Sequence, residues 1–297
     1  MNETIINFFK FTKLNHCLKN LIILLPVLIS GIQLDAVNAI IFLKGFITLF
    51  LLTSACYILN NLKDVDIDKE NKLKVSKFLY SKKKSFIIFA FYIIFLLIFV
   101  YLNNEVKFKF LLFYLINFLL YNFLTKKIKF IDILFLANFY NLRVFFGADI
   151  FDLQLTGGFI LLNFCLFLML SIVKRMIQIN VNKLDGNNSL IAYSSIDRKN
   201  LMLLAKLSFY LINLVLFLYY FQYLNISQIE HFSTFIVFES DLVISKIFML
   251  HIIFAAYSVY LNKLLLSQKI NKDIFDFVVT HKLSYIVVFL IISILFY

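Results

Sequence analysis

Long apolar runs, each close to the length of a membrane-spanning helix, recur along the whole chain and end only at its last residue. About 20 apolar residues in a helix cover the roughly 30 Å hydrocarbon core of a bilayer. Inside that core every backbone N–H and C=O must be paired within the protein, which here favours the helix. Nine runs are long enough, at about 18–35, 39–59, 85–103, 108–125, 131–150, 156–175, 203–224, 243–262 and 281–297. The first is interrupted by Pro26 and Gly31, and the fifth carries Asp132, Asn138, Asn141 and Arg143. The pattern predicts an all-α, polytopic membrane protein, with nine transmembrane helices bundled in a single membrane domain over 1–297. Composition agrees, since 62% of residues are hydrophobic and only 15% are charged. Soluble domains sit near 45–50% and about 25%. No small-residue cleavage site follows the first run and similar runs continue beyond it, so a removable signal peptide is not expected.

A net charge of +12 raises nucleic acid as a partner, and the distribution of that charge decides against it. Of the 29 Lys and Arg residues, 24 fall at the N-terminus or in alternate loops on one predicted side. Lys44, Lys107, Lys109 and Lys246 fall on the other, and Arg143 lies inside a span. Such asymmetry marks the cytoplasmic side. It predicts a multi-pass protein of the cell (inner) membrane, with the N-terminus cytoplasmic and the C-terminus outside. The basic charge then follows topology, and no nucleic acid is implied. Cys17, Cys56 and Cys165 and the four histidines are scattered without ligand spacing. Zinc chemistry and a Ser-His-Asp mechanism are therefore not expected.

Two polar segments, about 60–84 and 176–202, are the expected cytoplasmic active-site loops. The first is the denser. Asn61, Asp64 and Asp68 are spaced to share one face of a helix. Oxygen ligands grouped so, with Lys74 and Lys77 following, suit Mg²⁺ and a substrate phosphate. A solvated loop of weakly paired charges is the alternative. Arg143 is a candidate because an Arg within an apolar span usually faces a polar cavity or a partner. Lys174-Arg175 closes the sixth span, where topology alone also places bases.

Together these residues resemble the UbiA prenyltransferase superfamily. Asn60-Asn61-Leu62-Lys63-Asp64 through Asp68 is similar to its first aspartate-rich motif, Asn-Asp-x-x-Asp-x-x-x-Asp. One branch, the decaprenyl-phosphate phosphoribosyltransferases, fits more of the chain. Lys19-Asn20 with Pro26, Lys127 through Asp132, Leu142-Arg143-Val144 with Gly147-Ala148, Lys174-Arg175, and Asp273 through Asp276 all resemble its segments in order. The resemblance implies a nine-helix bundle around a cavity open to cytoplasm and lipid. It implies a Mg²⁺ site at Asn60, Asp64 and Asp68, with Asn61 contributing an amide where the family has Asp. It further implies that Lys74, Lys77, Arg143, Lys174 and Arg175 bear on anionic substrates. In this branch the donor is phosphoribosyl pyrophosphate and the acceptor a polyprenyl phosphate. Other members move a prenyl group from its diphosphate to an aromatic or other acceptor.

The chain departs from the pattern at three places. Asn61 replaces a carboxylate, Asn71-Lys72 replaces His-Pro, and Lys77-Phe78 replaces Arg-Pro, which loses bidentate phosphate geometry. Asp185 and Asp197 do not form the second aspartate pair of ordinary prenyltransferases, which favours the phosphoribosyl branch. A non-enzymatic transporter or lipid-binding protein is disfavoured by the scarcity of helix breaks, with 6 Gly and 1 Pro and no internal repeat.

Overall fold

The computed structural model describes Thr12, 14–30, Ile32, 35–68, 81–103, 108–155, 157–185, 193–194 and 196–224. It also describes isolated helical positions at 252–253, 256–257, 260, 286–287, 289–290 and 293. Among the described residues every regular element is helical. A 3₁₀ helix, Leu14–Leu24, leads into α1, Leu25–Ser30. Then come α2 Ala36–Asp68, α3 Lys82–Leu102, α4 Phe108–Leu120, α5 Ile131–Ile150, α6 Gly157–Asp185 and α7 Asp197–Leu224. A π turn, Tyr121–Thr125, extends α4. Six of these helical stretches are long and apolar enough to cross a membrane: Ala36–Lys63, Lys82–Leu102, Phe108–Thr125, Ile131–Ile150, Gly157–Ile179 and Asp197–Leu218.

These six coincide with the second to seventh predicted spans. The first, 18–35, is not one continuous helix. Its apolar stretch Leu18–Leu28 is too short to cross alone. The change from 3₁₀ to α geometry falls at Leu24–Leu25, so Pro26 sits in a first turn, where its missing N–H costs nothing. The predicted spans 243–262 and 281–297 lie mostly outside the described residues.

Both expected loops are partly helix. Residues 60–68 continue α2, and 176–185 continue α6. The end of an apolar run marks where charge begins, whereas a helical backbone continues as long as its i to i−4 bonds are made. Starts are capped by side chains: Asn38 N–H donates to Asp35 Oδ1 at 2.8 Å before α2, and Lys84 N–H to Ser81 Oγ before α3.

The helices form two compact units interleaved in sequence. The first holds 1–126 and 142–154, the second 127–141 and 155–297, so each half of α5 belongs to a different unit. In the first unit the core is Ile23, Leu49, Leu52, Ile58, Leu111 and Phe146, all essentially inaccessible. Gly147 marks its closest approach. A Cβ there would lie 2.2 Å from the carbonyl oxygen of Ile23 and 2.8 Å from its Cα, so only glycine lets the backbones meet. α3 instead exposes Phe86, Ile87, Phe91, Ile94 and Ile98, a face suited to lipid.

In the second unit α6 packs on α7. Ile172, Met176 and Ile179 meet Leu201 and Ala205 at one end, and Cys165 and Met169 meet Ile212 at the other. The reversed order makes the pair antiparallel. Tyr193 and Ile133 complete the first of these clusters.

Candidate functional site

The motif-bearing end of α2 lies in the first unit. Along the α2 backbone the positions Asn61, Asp64 and Asp68 span about 10 Å from first to last. Asn60 Oδ1 accepts a hydrogen bond from Lys126 Nζ at 3.3 Å. Lys63 Nζ donates to the main-chain oxygen of Asn122 and stands 4.0 Å from the centre of the Phe123 ring. The π turn presents this surface. It closes when Lys126 N–H reaches Tyr121 O at 2.9 Å, one residue further back than in an α-helix, and such turns recur at functional sites. Asn61 is only 4% exposed, and neither atom of its amide has a hydrogen-bond partner among the described residues. The same holds for Asn122 Oδ1.

A buried amide without partners costs about 1–3 kcal/mol. It therefore marks a place where a bound group can supply what the fold does not. Mg²⁺ or its bound water takes an amide oxygen of this kind, so Asn61 fits the ion that the sequence implies, whereas Asn60 Oδ1 already accepts from Lys126. Among the described residues no three His, Cys, Asp or Glu come together. The side chains of Asp64 and Asp68, and the whole of Lys74 and Lys77, lie outside the described residues.

Arg143 is also in the first unit, 3% exposed. Its Nε donates to Asn20 Oδ1 at 2.9 Å and its Nη2 to the Tyr114 hydroxyl at 2.8 Å. Asn20 Nδ2 in turn donates to Thr53 Oγ1 at 3.2 Å. A guanidinium so placed joins the 3₁₀ helix, α4 and α2 to α5, and its ring of partners satisfies donors that lipid would leave unpaired. The expected buried Arg is there, and these contacts give it a structural task.

The second unit holds a separate polar cluster. Arg175 Nε meets Asp132 Oδ2 at 2.6 Å, and Arg175 Nη1 donates to Gln178 Oε1 at 2.5 Å. Tyr193 donates its hydroxyl proton to Asp132 Oδ1 at 2.6 Å and accepts from Phe130 N–H. Phe130 has φ 67°, a backbone conformation rare for a bulky residue, and Tyr193 holds it from two sides: the hydroxyl on its N–H and the ring edge-on to its own. Beside it, Lys129 Nζ pairs with Asp197 Oδ2 at 2.8 Å, which also accepts from Ser194 N–H at the start of α7. Burial, reinforced by the hydrogen bond to Asp132, pushes the Tyr193 phenol above its ordinary range. Arg175, expected as an anion ligand, thus pairs with a buried carboxylate on α5. Lys174, half-buried on the same helix as Arg175, lies next to it in sequence.

Several of these residues escape a reading by motif. Lys126 counts in the sequence only as one more cytoplasmic base. Tyr114 and Asn122 carry a weak signal, as polar side chains in an apolar span. Tyr193 carries none, because its partners Phe130 and Asp132 are more than 60 residues earlier.

No protein-family model matches the chain, and no curated protein matches it. Among solved structures, that of digeranylgeranylglyceryl phosphate synthase in membranes superposes over 99% of this chain and 98% of its own, with TM-score 0.61 and 15% identity. Over that span, then, the chain shares the fold of this synthase.

Proposed function

We propose that the chain is a Mg²⁺-dependent membrane transferase of the UbiA type that moves phosphoribose from phosphoribosyl pyrophosphate to a polyprenyl phosphate. The observation that carries this reading is the end of α2, an apolar helix that runs unbroken into Asn60, Asn61, Asp64 and Asp68. The shared fold supports the membrane transferase. The lack of a second aspartate pair in 176–200 supports phosphoribosyl pyrophosphate over a prenyl diphosphate as donor.

Bound Mg²⁺ supplies charge neutralisation for a leaving pyrophosphate. Asn60, Asn61, Asp64 and Asp68 hold the ion-bearing end of the donor. Lys74 and Lys77 follow as point charges for phosphate oxygens. An oxygen of the lipid phosphate forms the new bond to the ribose anomeric carbon. The bond from that carbon to pyrophosphate breaks, and pyrophosphate leaves with the electron pair. A phosphate oxygen ionised at neutral pH needs no base to deprotonate it. The positive-inside charge bias turns this end of α2 toward the cytoplasm, where a charged, water-soluble donor reaches it.

Transfer of a polyprenyl group from its diphosphate to an aromatic or other acceptor is the second reading, favoured by the activity of the protein whose fold is shared. Membranes carrying the chain separate the two. They are given labelled phosphoribosyl pyrophosphate with polyprenyl phosphate, or labelled polyprenyl diphosphate with candidate acceptors, each with and without Mg²⁺. Label entering the lipid only in the first mixture and only with Mg²⁺ is the expected result. Product from the second mixture alone moves the assignment to prenyl transfer. Product from neither, with the lipid still bound, makes the chain a binding protein.

A further inference from the structure

Asn60 is the first position of the motif, and its oxygen is already taken by a cation. Lys126 Nζ lies 3.3 Å from Asn60 Oδ1, delivered there by the π turn that follows α4. Next to it, Asn61 occupies the position where the family pattern has a carboxylate, and its buried amide is unpartnered among the described residues. A second ammonium, that of Lys63, is held on the same helix end by the Asn122 main-chain oxygen and the Phe123 ring. The local balance is therefore one negative charge poorer than the pattern, with an ammonium seated on a ligand oxygen.

We infer that Lys126 is a resident cation of the α2 site, which competes with a divalent ion for Asn60 and must withdraw before that ion binds. This deepens the metal site proposed above and rests on that reading. A lysine ammonium suits such a role. It is a compact point charge on a flexible stem, it bonds an amide oxygen as Mg²⁺ would, and it can leave by side-chain rotation alone. Its withdrawal is favoured when a phosphate-bearing donor arrives, because the ammonium can then pass from a neutral oxygen to an anionic one. The chain accordingly binds bare divalent ions weakly and binds them better when phosphate is present.

The test is a titration of the purified full-length chain in lipid nanodiscs with Mn²⁺, followed by the electron paramagnetic resonance signal of the free ion. Lys126→Met and the more polar Lys126→Gln remove the charge. Lys127→Met removes an equal charge from an exposed neighbour. A unit charge about 5 Å from a doubly charged ion changes its affinity by about tenfold or more, even screened as in bulk water. Both Lys126 variants are thus expected to bind Mn²⁺ about tenfold more tightly than the parent, and Lys127→Met within about twofold of it. Adding Asp64→Asn to either Lys126 variant is expected to abolish the gain. Equal affinity in the parent and in both Lys126 variants overturns the inference while leaving the metal site standing. A gain that survives Asp64→Asn places the ion elsewhere and also overturns it. No Mn²⁺ bound by any variant at millimolar concentration removes the metal site, and the inference with it.

Discussion

Replacing Arg175 by Met takes the guanidinium away from Asp132 and leaves a carboxylate that is 1% exposed without its counter-charge. The pair is short, 2.6 Å, and both side chains are almost wholly excluded from solvent. Removing one member of such a pair costs about 3–5 kcal/mol, mostly because the remaining charge stays desolvated. Tyr193 partly compensates, since its hydroxyl still donates to Asp132 Oδ1. At roughly 2 °C per kcal/mol for a large chain, Arg175→Met should lower the unfolding midpoint in nanodiscs by about 6–10 °C. Asp132→Leu should do the same, by stranding the guanidinium. The double variant Asp132→Leu/Arg175→Met buries no charge, so it should lose no more than half as much as either single variant, a coupling of about 4 kcal/mol or more. If both single variants leave the midpoint within 2 °C and instead raise the KM for the phosphate-bearing donor, Arg175 is an anion ligand after all and the structural assignment fails.

Other perturbations follow from the same contacts. Gly147→Ala forces a methyl group onto the Ile23 main chain, which cannot rotate away. It should cost about 1–3 kcal/mol, read as a lower unfolding midpoint, whereas Gly157→Ala, with open space around it, should be nearly neutral. Tyr193→Phe leaves Phe130 N–H unpaired and frees one oxygen of Asp132. It should cost about 1–3 kcal/mol and speed proteolysis between α6 and α7. The Tyr193 phenol titrates above its ordinary value of about 10. The anchor it forms is thus fully present below that pH and is lost as pH rises toward and past its raised folded value. The late part of the tyrosinate absorbance titration should be smaller by one phenol in Tyr193→Phe than in the parent. Arg143→Lys keeps the charge but cannot reach both Asn20 and Tyr114 in fixed geometry. It should destabilise the chain by about 1–3 kcal/mol while leaving donor KM unchanged.

Of the nine expected spans, the second to seventh are the legible part of this chain. Residues 131–150 were bounded to the residue, because a basic loop and a polar turn flank an apolar run. α2 and α6 ran past their predicted ends, since hydropathy senses the edge of the lipid and not the end of the hydrogen-bonded backbone. Arg143 was legible as a polar group in an apolar span, but its partner Asn20 lies 123 residues away and no spacing rule reaches that far. Arg175 read as an anion ligand because Lys-Arg at the end of a span is what both topology and substrate binding produce. Only the fold reveals Asp132 beside it, 43 residues earlier. Lys126 was hidden for the same reason: the π turn that aims it at Asn60 leaves no mark in the apolar pattern.

The claim that α2 ends in a metal-dependent transfer site is tested most directly by turnover of the purified chain in nanodiscs. Labelled phosphoribosyl pyrophosphate and polyprenyl phosphate are supplied with saturating Mg²⁺, and the parent is compared with Asp64→Asn and Asp68→Asn. Each loses a carboxylate from the helix that carries the site. Each should therefore lose most of the lipid-linked product, about 100-fold or more for a group acting directly on transition-state charge, with the unfolding midpoint held. Near-parental turnover by both variants contradicts the account.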